Sequence, residues 1–182
     1  LMVVLFWLPA TPKLSDGGSA HIADRERLGE ALWGRGLGVL YGSIFCLHLL
    51  LMAAFTAIPS VMAEQVGLAT EYHAWMYLAT LCCAIPGVAI LVRRRREVDD
   101  PRPLLALTVL LTVLGLIVAL GAVSLTLLGV GLVLFFAGFT ALETILPALV
   151  SIFAPLSLRG TAMGIFSSAQ FLGVFTGGVL GG

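Results

Sequence analysis

The sequence predicts an all-α, polytopic helical membrane protein, and three observations carry that prediction. First, 59% of residues are hydrophobic and 11% charged, whereas soluble chains carry about 25% charged residues. Second, the charges are clustered. The stretches 37–63, 103–122 and 125–142 contain no Asp, Glu, Lys or Arg, and each reaches the roughly 18 apolar residues that mark a candidate helix across a ~30 Å hydrocarbon core. Third, every Lys and Arg falls on one side when the chain is threaded back and forth. The alternating pattern of an outer-membrane barrel is missing.

The elements follow in order. Residues 1–12, LMVVLFWLPATP, read as the end of a transmembrane helix that Pro9 and Pro12 stop. Residues 13–36 are polar and mixed in charge, either a solvated linker or a linker with an interfacial helix over 22–33, where Ile22, Leu28, Leu32 and Trp33 would face lipid. Residues 37–182 are expected to form a transmembrane bundle with spans at 37–63, 72–92, 103–122, 125–154 and 161–182. EQVGLATE turns the chain after the first span, RRRREVDDPRP is expected as a loop after the second, and APLSLRG turns it after the fourth. The chain starts at Leu1 and stops at Gly182 inside apolar runs, so it is expected to be an internal piece of a longer protein.

Threading this span order places Lys13, Arg25, Arg27, Arg35, Arg93, Arg94, Arg95, Arg96, Arg102 and Arg159 on one face, and only Glu64 and Glu71 on the other. The positive-inside rule makes the basic face cytoplasmic, with the arginines at 93–96 and Arg159 as topogenic anchors. Tyr72, Trp75 and Tyr77 are expected at the opposite interface, as an aromatic belt. The three cysteines, Cys46, Cys82 and Cys83, lie in apolar runs and are expected to be buried and reduced; neighbouring Cys82 and Cys83 suit neither a disulfide nor a zinc site.

The chemistry rests on a few polar residues in apolar surroundings. Glu143, in FFAGFTALETILPALV, stands out, because a carboxylate in hydrocarbon costs roughly 2.5–3.5 kcal/mol on insertion scales. Counted from Leu125 it lies roughly 27 Å along its helix, in the inner half and one turn before Pro147. It is either structural, paired with a donor on a neighbouring helix, or coupling, facing an aqueous cavity where it titrates. His48, in the first span, is either satisfied by a neighbouring helix or a titratable or substrate-binding group. Gln170, in the fifth span, completes the candidates for substrate binding or proton coupling. Gly160, Gly164, Gly173, Gly177 and Gly181 form a ladder of small residues that suits close helix packing or a sliding contact. Pro86 and Pro147 are candidate bends or gating hinges, as is Pro59. The third span offers only Thr108 and Thr112 as polar side chains and is expected at the periphery. No HExxH, P-loop or nucleophile elbow occurs, so no enzyme, metal or cofactor is expected. A net charge of zero offers no case for nucleic acid.

Two longer stretches carry a resemblance. RGTAMGIFSSAQFLGVFTGGVLGG, residues 159–182, resembles a late helix of the major facilitator superfamily; residues 135–164 and LHLLLMAAFTAIP, residues 47–59, resemble its YajR-type branch. The resemblance implies that residues 1–12 end helix six, that 13–36 link two six-helix halves on the cytoplasmic side, and that the remaining spans are helices seven to eleven. It implies that helices seven and ten, which carry His48 and Glu143, line a central cavity, and that helix nine is peripheral. It further implies a monomeric secondary transporter of the bacterial inner membrane, an antiporter that exports a small molecule against protons. RRRREVDDPRP keeps the mixed charge of the superfamily's gating loop but not its glycine-led pattern. The alternative function is a non-transporting membrane scaffold or receptor with a transporter-like fold.

Overall fold

The computed structural model describes residue 29 and residues 32–97 and 102–181. The expected helix end at 1–12 and nearly all of the expected linker at 13–36, with its interfacial helix, lie outside the described residues. Five long helices make up the rest: α1 (Arg35–Ser60), α2 (His73–Glu97), α3 (Arg102–Leu120), α4 (Leu125–Phe153) and α5 (Arg159–Gly181). Each of the five carries a stretch long and apolar enough to cross a membrane. A helix is the economical answer in hydrocarbon, because it satisfies each backbone N–H and C=O internally. The hydroxyls follow the same rule: Thr108 donates to the Leu105 carbonyl and Thr112 to that of Thr108, at 2.8 Å each.

The connections are short. α1 runs through Pro59 into a π-helical turn, Val61–Gln65. Gly67, at φ 71°, then reverses the chain so that the Leu68 N–H reaches the Met62 carbonyl at 2.8 Å. A residue with a Cβ resists that left-handed conformation. A single 3₁₀ turn, Thr70–Tyr72, leads into α2. Ser124 caps α4, its hydroxyl oxygen accepting from the Leu127 N–H at 3.3 Å. Between α4 and α5 lie Pro155 and the 3₁₀ turn Leu156–Leu158.

Three expectations are corrected. Arg93–Glu97 belong to the last turns of α2 rather than to a loop. Arginine is a good helix former and its charge suits a helix C-terminus, so the helix continues into the basic run. Cys46, Cys82 and Cys83 are exposed, not buried; an apolar run crosses the bilayer with a lipid-facing side as well as a packed one. Tyr72 and Trp75 are exposed, but Tyr77 turns inward, its ring 5.1 Å from that of Phe55 and 6.4 Å from that of Phe136.

α4 is the central element, packed against α1, α2, α3 and α5. Its buried residues include Leu128, Leu132, Phe135, Phe139, Leu142 and Leu146. α3 lies at the bundle edge, burying one stripe (Leu104, Thr108, Thr112, Gly115 and Ala119) and exposing Leu110 and Ile117. The two most extensive interfaces are α3 on α4 and α1 on α5. In both, backbone meets backbone. Gly115 sits against the backbone of Gly131 and Phe135, and Gly138 against that of Thr108 and Thr112. Gly173 sits against Phe45 and Gly177 against Leu49.

Candidate functional site

Three polar side chains from three helices meet inside this apolar bundle. His48 comes from α1, Glu143 from α4 and Gln170 from α5. Gln170 Nε2 lies 2.8 Å from His48 Nε2 and donates to Glu143 Oε1 at 3.4 Å. His48 Nε2 and Glu143 Oε1 are themselves 3.4 Å apart. The other ring nitrogen, Nδ1, is 3.2 Å from the Ile44 carbonyl one turn earlier, and the Phe139 ring stands at an angle to the imidazole with centroids 5.5 Å apart. His48 is buried, with 5% of its side chain exposed, while Glu143 is open at 42%. The cluster thus has a closed end at the histidine and an open end at the carboxylate.

Helix geometry explains why the three meet. At 1.5 Å per residue, His48 lies roughly 20 Å from the start of α1, Gln170 roughly 17 Å from the start of α5, and Glu143 roughly 15 Å from the end of α4. All three measures start from the arginine-bearing end, so the residues share one level near half the depth of a ~30 Å core. Gly173 and Gly177 bring α5 close to α1 just beyond that level. Pro147 adds a local effect: having no N–H, it leaves the Glu143 backbone carbonyl without its usual helical donor. A carboxylate, an imidazole and a carboxamide are therefore gathered in one place, able to bind a proton and a polar group of a ligand. Among the described residues no group of three His, Cys, Asp or Glu side chains is placed to hold a metal ion.

The remaining candidates divide. Gly173, Gly177 and Gly181 form the contact with α1, Gly181 meeting Thr56. Gly160 and Gly164 have nothing within 4 Å of where a Cβ would stand. At that end α1 and α5 diverge around a groove of about 800 Å³ lined by Trp33, Tyr41, Thr161, Gly164 and Ser168 among others. A second groove of about 430 Å³, almost wholly apolar, lies between α1, α3 and α4 and includes Cys46, Val109 and Leu146. Neither groove contains the cluster. Pro86 lies within α2 and Pro147 within α4, neither ending its helix. Arg93, Arg94 and Arg159 are exposed at one end of the bundle, and Arg95 is partly so. Arg96 belongs to the last turn of α2.

Gly115, Gly131 and Gly138 were not among the residues the sequence singled out. The signal was there in part: Gly131 and Gly138 are seven residues apart, two helical turns, and Gly115 stands four before Ala119 in the small-xxx-small spacing.

The family model described as Major Facilitator Superfamily matches residues 1–178. The inner membrane transport protein YajR of Escherichia coli (strain K12) is 34% identical across 98% of this chain and 42% of its own length. An uncharacterized transporter of Buchnera aphidicola subsp. Acyrthosiphon pisum is 32% identical across 97% of this chain and 45% of its own length. A second uncharacterized transporter, from the subspecies Baizongia pistaciae, is 52% identical over 29% of this chain. The chain spans less than half the length of these curated relatives.

Proposed function

The chain belongs to the Major Facilitator Superfamily, and from that premise we propose that it works as part of a proton-coupled secondary transporter exporting a small molecule by alternating access. Its place is the bacterial inner membrane, with the arginine-bearing end in the cytoplasm. The observation that carries the reading is the meeting of His48, Glu143 and Gln170 on three different helices at one depth. Ionisable groups inside a membrane bundle are expensive, and pairing them at mid-depth is how a transporter holds a coupling proton. His48 and Glu143 are the proton-binding pair, and Gln170 with the open side of Glu143 contacts the cargo. Bending at Pro86 and Pro147, and movement of α5 along α1 at its glycines, accompany the change of access. The protein acts as a monomer.

The test uses the full-length protein in proteoliposomes, with an imposed pH gradient and a panel of lipophilic dyes as cargo. Glu143→Gln is expected to lower gradient-driven dye movement at least tenfold. Transport in that variant with an unchanged pH dependence excludes Glu143 as the coupling group. Binding of dyes by the wild type without movement of any of them favours the receptor or scaffold reading.

A further inference from the structure

Resting on the reading of this cluster as a proton-coupled site, we infer that Gln170 is its rotor: its carboxamide presents oxygen outward while His48 is neutral and N–H outward once His48 is protonated. The inference follows from counting donors and acceptors. His48 Nδ1 lies 3.2 Å from the Ile44 carbonyl, which can only accept, so Nδ1 carries a hydrogen. A neutral imidazole has one N–H, which leaves Nε2 as an acceptor. Gln170 Nε2, 2.8 Å away, is the donor to it. The same amide nitrogen lies 3.4 Å from Glu143 Oε1, so both of its hydrogens are spent on the cluster. The amide oxygen is the end left for a ligand.

Protonation of His48 reverses this. Both ring nitrogens then donate, and an N–H of His48 would confront an N–H of Gln170 at 2.8 Å. Turning the carboxamide by about 180° about its terminal torsion, which is broad and roughly two-fold, puts the oxygen on His48 instead; Glu143 gives up its amide donor and takes the imidazolium as its partner. Among the described residues, the charged group facing His48 from α4 is Glu143, which balances the imidazolium at 3.4 Å. α5 presents only neutral Gln170 there. On α1 itself Tyr41 lies two turns away, and Cys46 is exposed. The ligand-facing end of Gln170 then becomes a donor. A cargo bearing a hydrogen-bond donor, such as an amide, amine or hydroxyl, is held when His48 is neutral and loses its acceptor when His48 is protonated. Cargo and proton thus exclude each other, which is what exchange of one for the other requires.

Nitrogen-15 NMR of the full-length protein, labelled at histidine and held in lipid nanodiscs, tests this without cargo or gradient. The His48 signals are assigned by their loss in His48→Gln. Neutral wild-type His48 is expected as the Nδ1–H tautomer. In Gln170→Leu, Nε2 loses its donor, and the Glu143 carboxylate at 3.4 Å competes with the Ile44 carbonyl for the one ring N–H, so the Nε2–H tautomer is expected to gain population. In Gln170→Glu, which keeps the side-chain shape if the leucine variant fails to fold, the carboxylate has no N–H to offer Nε2, so Nε2 is expected to carry a hydrogen. Wild-type His48 as the Nε2–H tautomer overturns the inference, as do signals unchanged in both Gln170 variants. Absence of coupled transport by the wild type, with this tautomer pattern present, counts against the transport reading alone.

Discussion

Tyr41 and Tyr77 each bury a phenol oxygen that has no hydrogen-bond partner among the described residues. Leaving a buried donor unpaired costs about 1–3 kcal/mol. Tyr41→Phe is therefore expected to raise the stability of the full-length protein by about 1 kcal/mol, read from its thermal unfolding in detergent. A loss of similar size would show that the hydroxyl has found a partner in the complete protein. His48 is the opposite case, since both of its nitrogens are used. His48→Leu strands the Gln170 amide and leaves Glu143 without its histidine, so a tenfold or larger loss of gradient-driven transport is expected, with pH dependence altered rather than merely scaled. Sequence marked His48 and Glu143 as costly residues, because a charge or imidazole in an apolar run is visible locally. It left open whether each is structural or functional, because that depends on the neighbour each one meets.

At the scale of elements, the glycine ladder of α5 has two parts. The side chain of any larger residue at Gly177 would run into the Leu49 backbone, whereas one at Gly178 meets nothing within 4 Å. Gly177→Leu is expected to cost about 1–3 kcal/mol or more through overpacking against rigid backbone, and to lower the yield of monodisperse protein. Gly178→Leu, one position away with open space beside it, is expected to leave both unchanged. Equal effects from the two substitutions would mean that α1 and α5 are not held by this contact. Gly164→Ala, facing the groove by Tyr41, is likewise expected to be tolerated. The spacing of small residues reveals which positions allow a close approach. It does not reveal which of them a neighbour uses, because the crossing of two helices touches only a few turns of each.

At the scale of the whole molecule, the arginine-bearing ends of α1, α2, α3 and α5 gather at one end of the bundle, and Glu64 and Glu71 lie at the other. With native cysteines replaced, a cysteine at Ser157 is expected to resist a membrane-impermeant maleimide added to intact cells, while one at Glu71 reacts. The reverse pattern overturns the cytoplasmic assignment of the basic end. Composition and hydropathy by themselves determined that the chain is helical and membrane-bound, because a bilayer forces each segment to satisfy its backbone internally, whatever its neighbours. Periodicity and proline positions could not say that Tyr77 turns inward, that α2 continues through the arginines, or that Gly115, Gly131 and Gly138 let α3 seat on α4. The cluster is the clearest instance. His48 and Gln170 are 122 residues apart, and hydropathy carries no information about which helix faces which. Their meeting was decided by the tertiary packing of α1, α4 and α5, since only backbone contact at Gly173 and Gly177 brings a 2.8 Å hydrogen bond within reach of two separate helices.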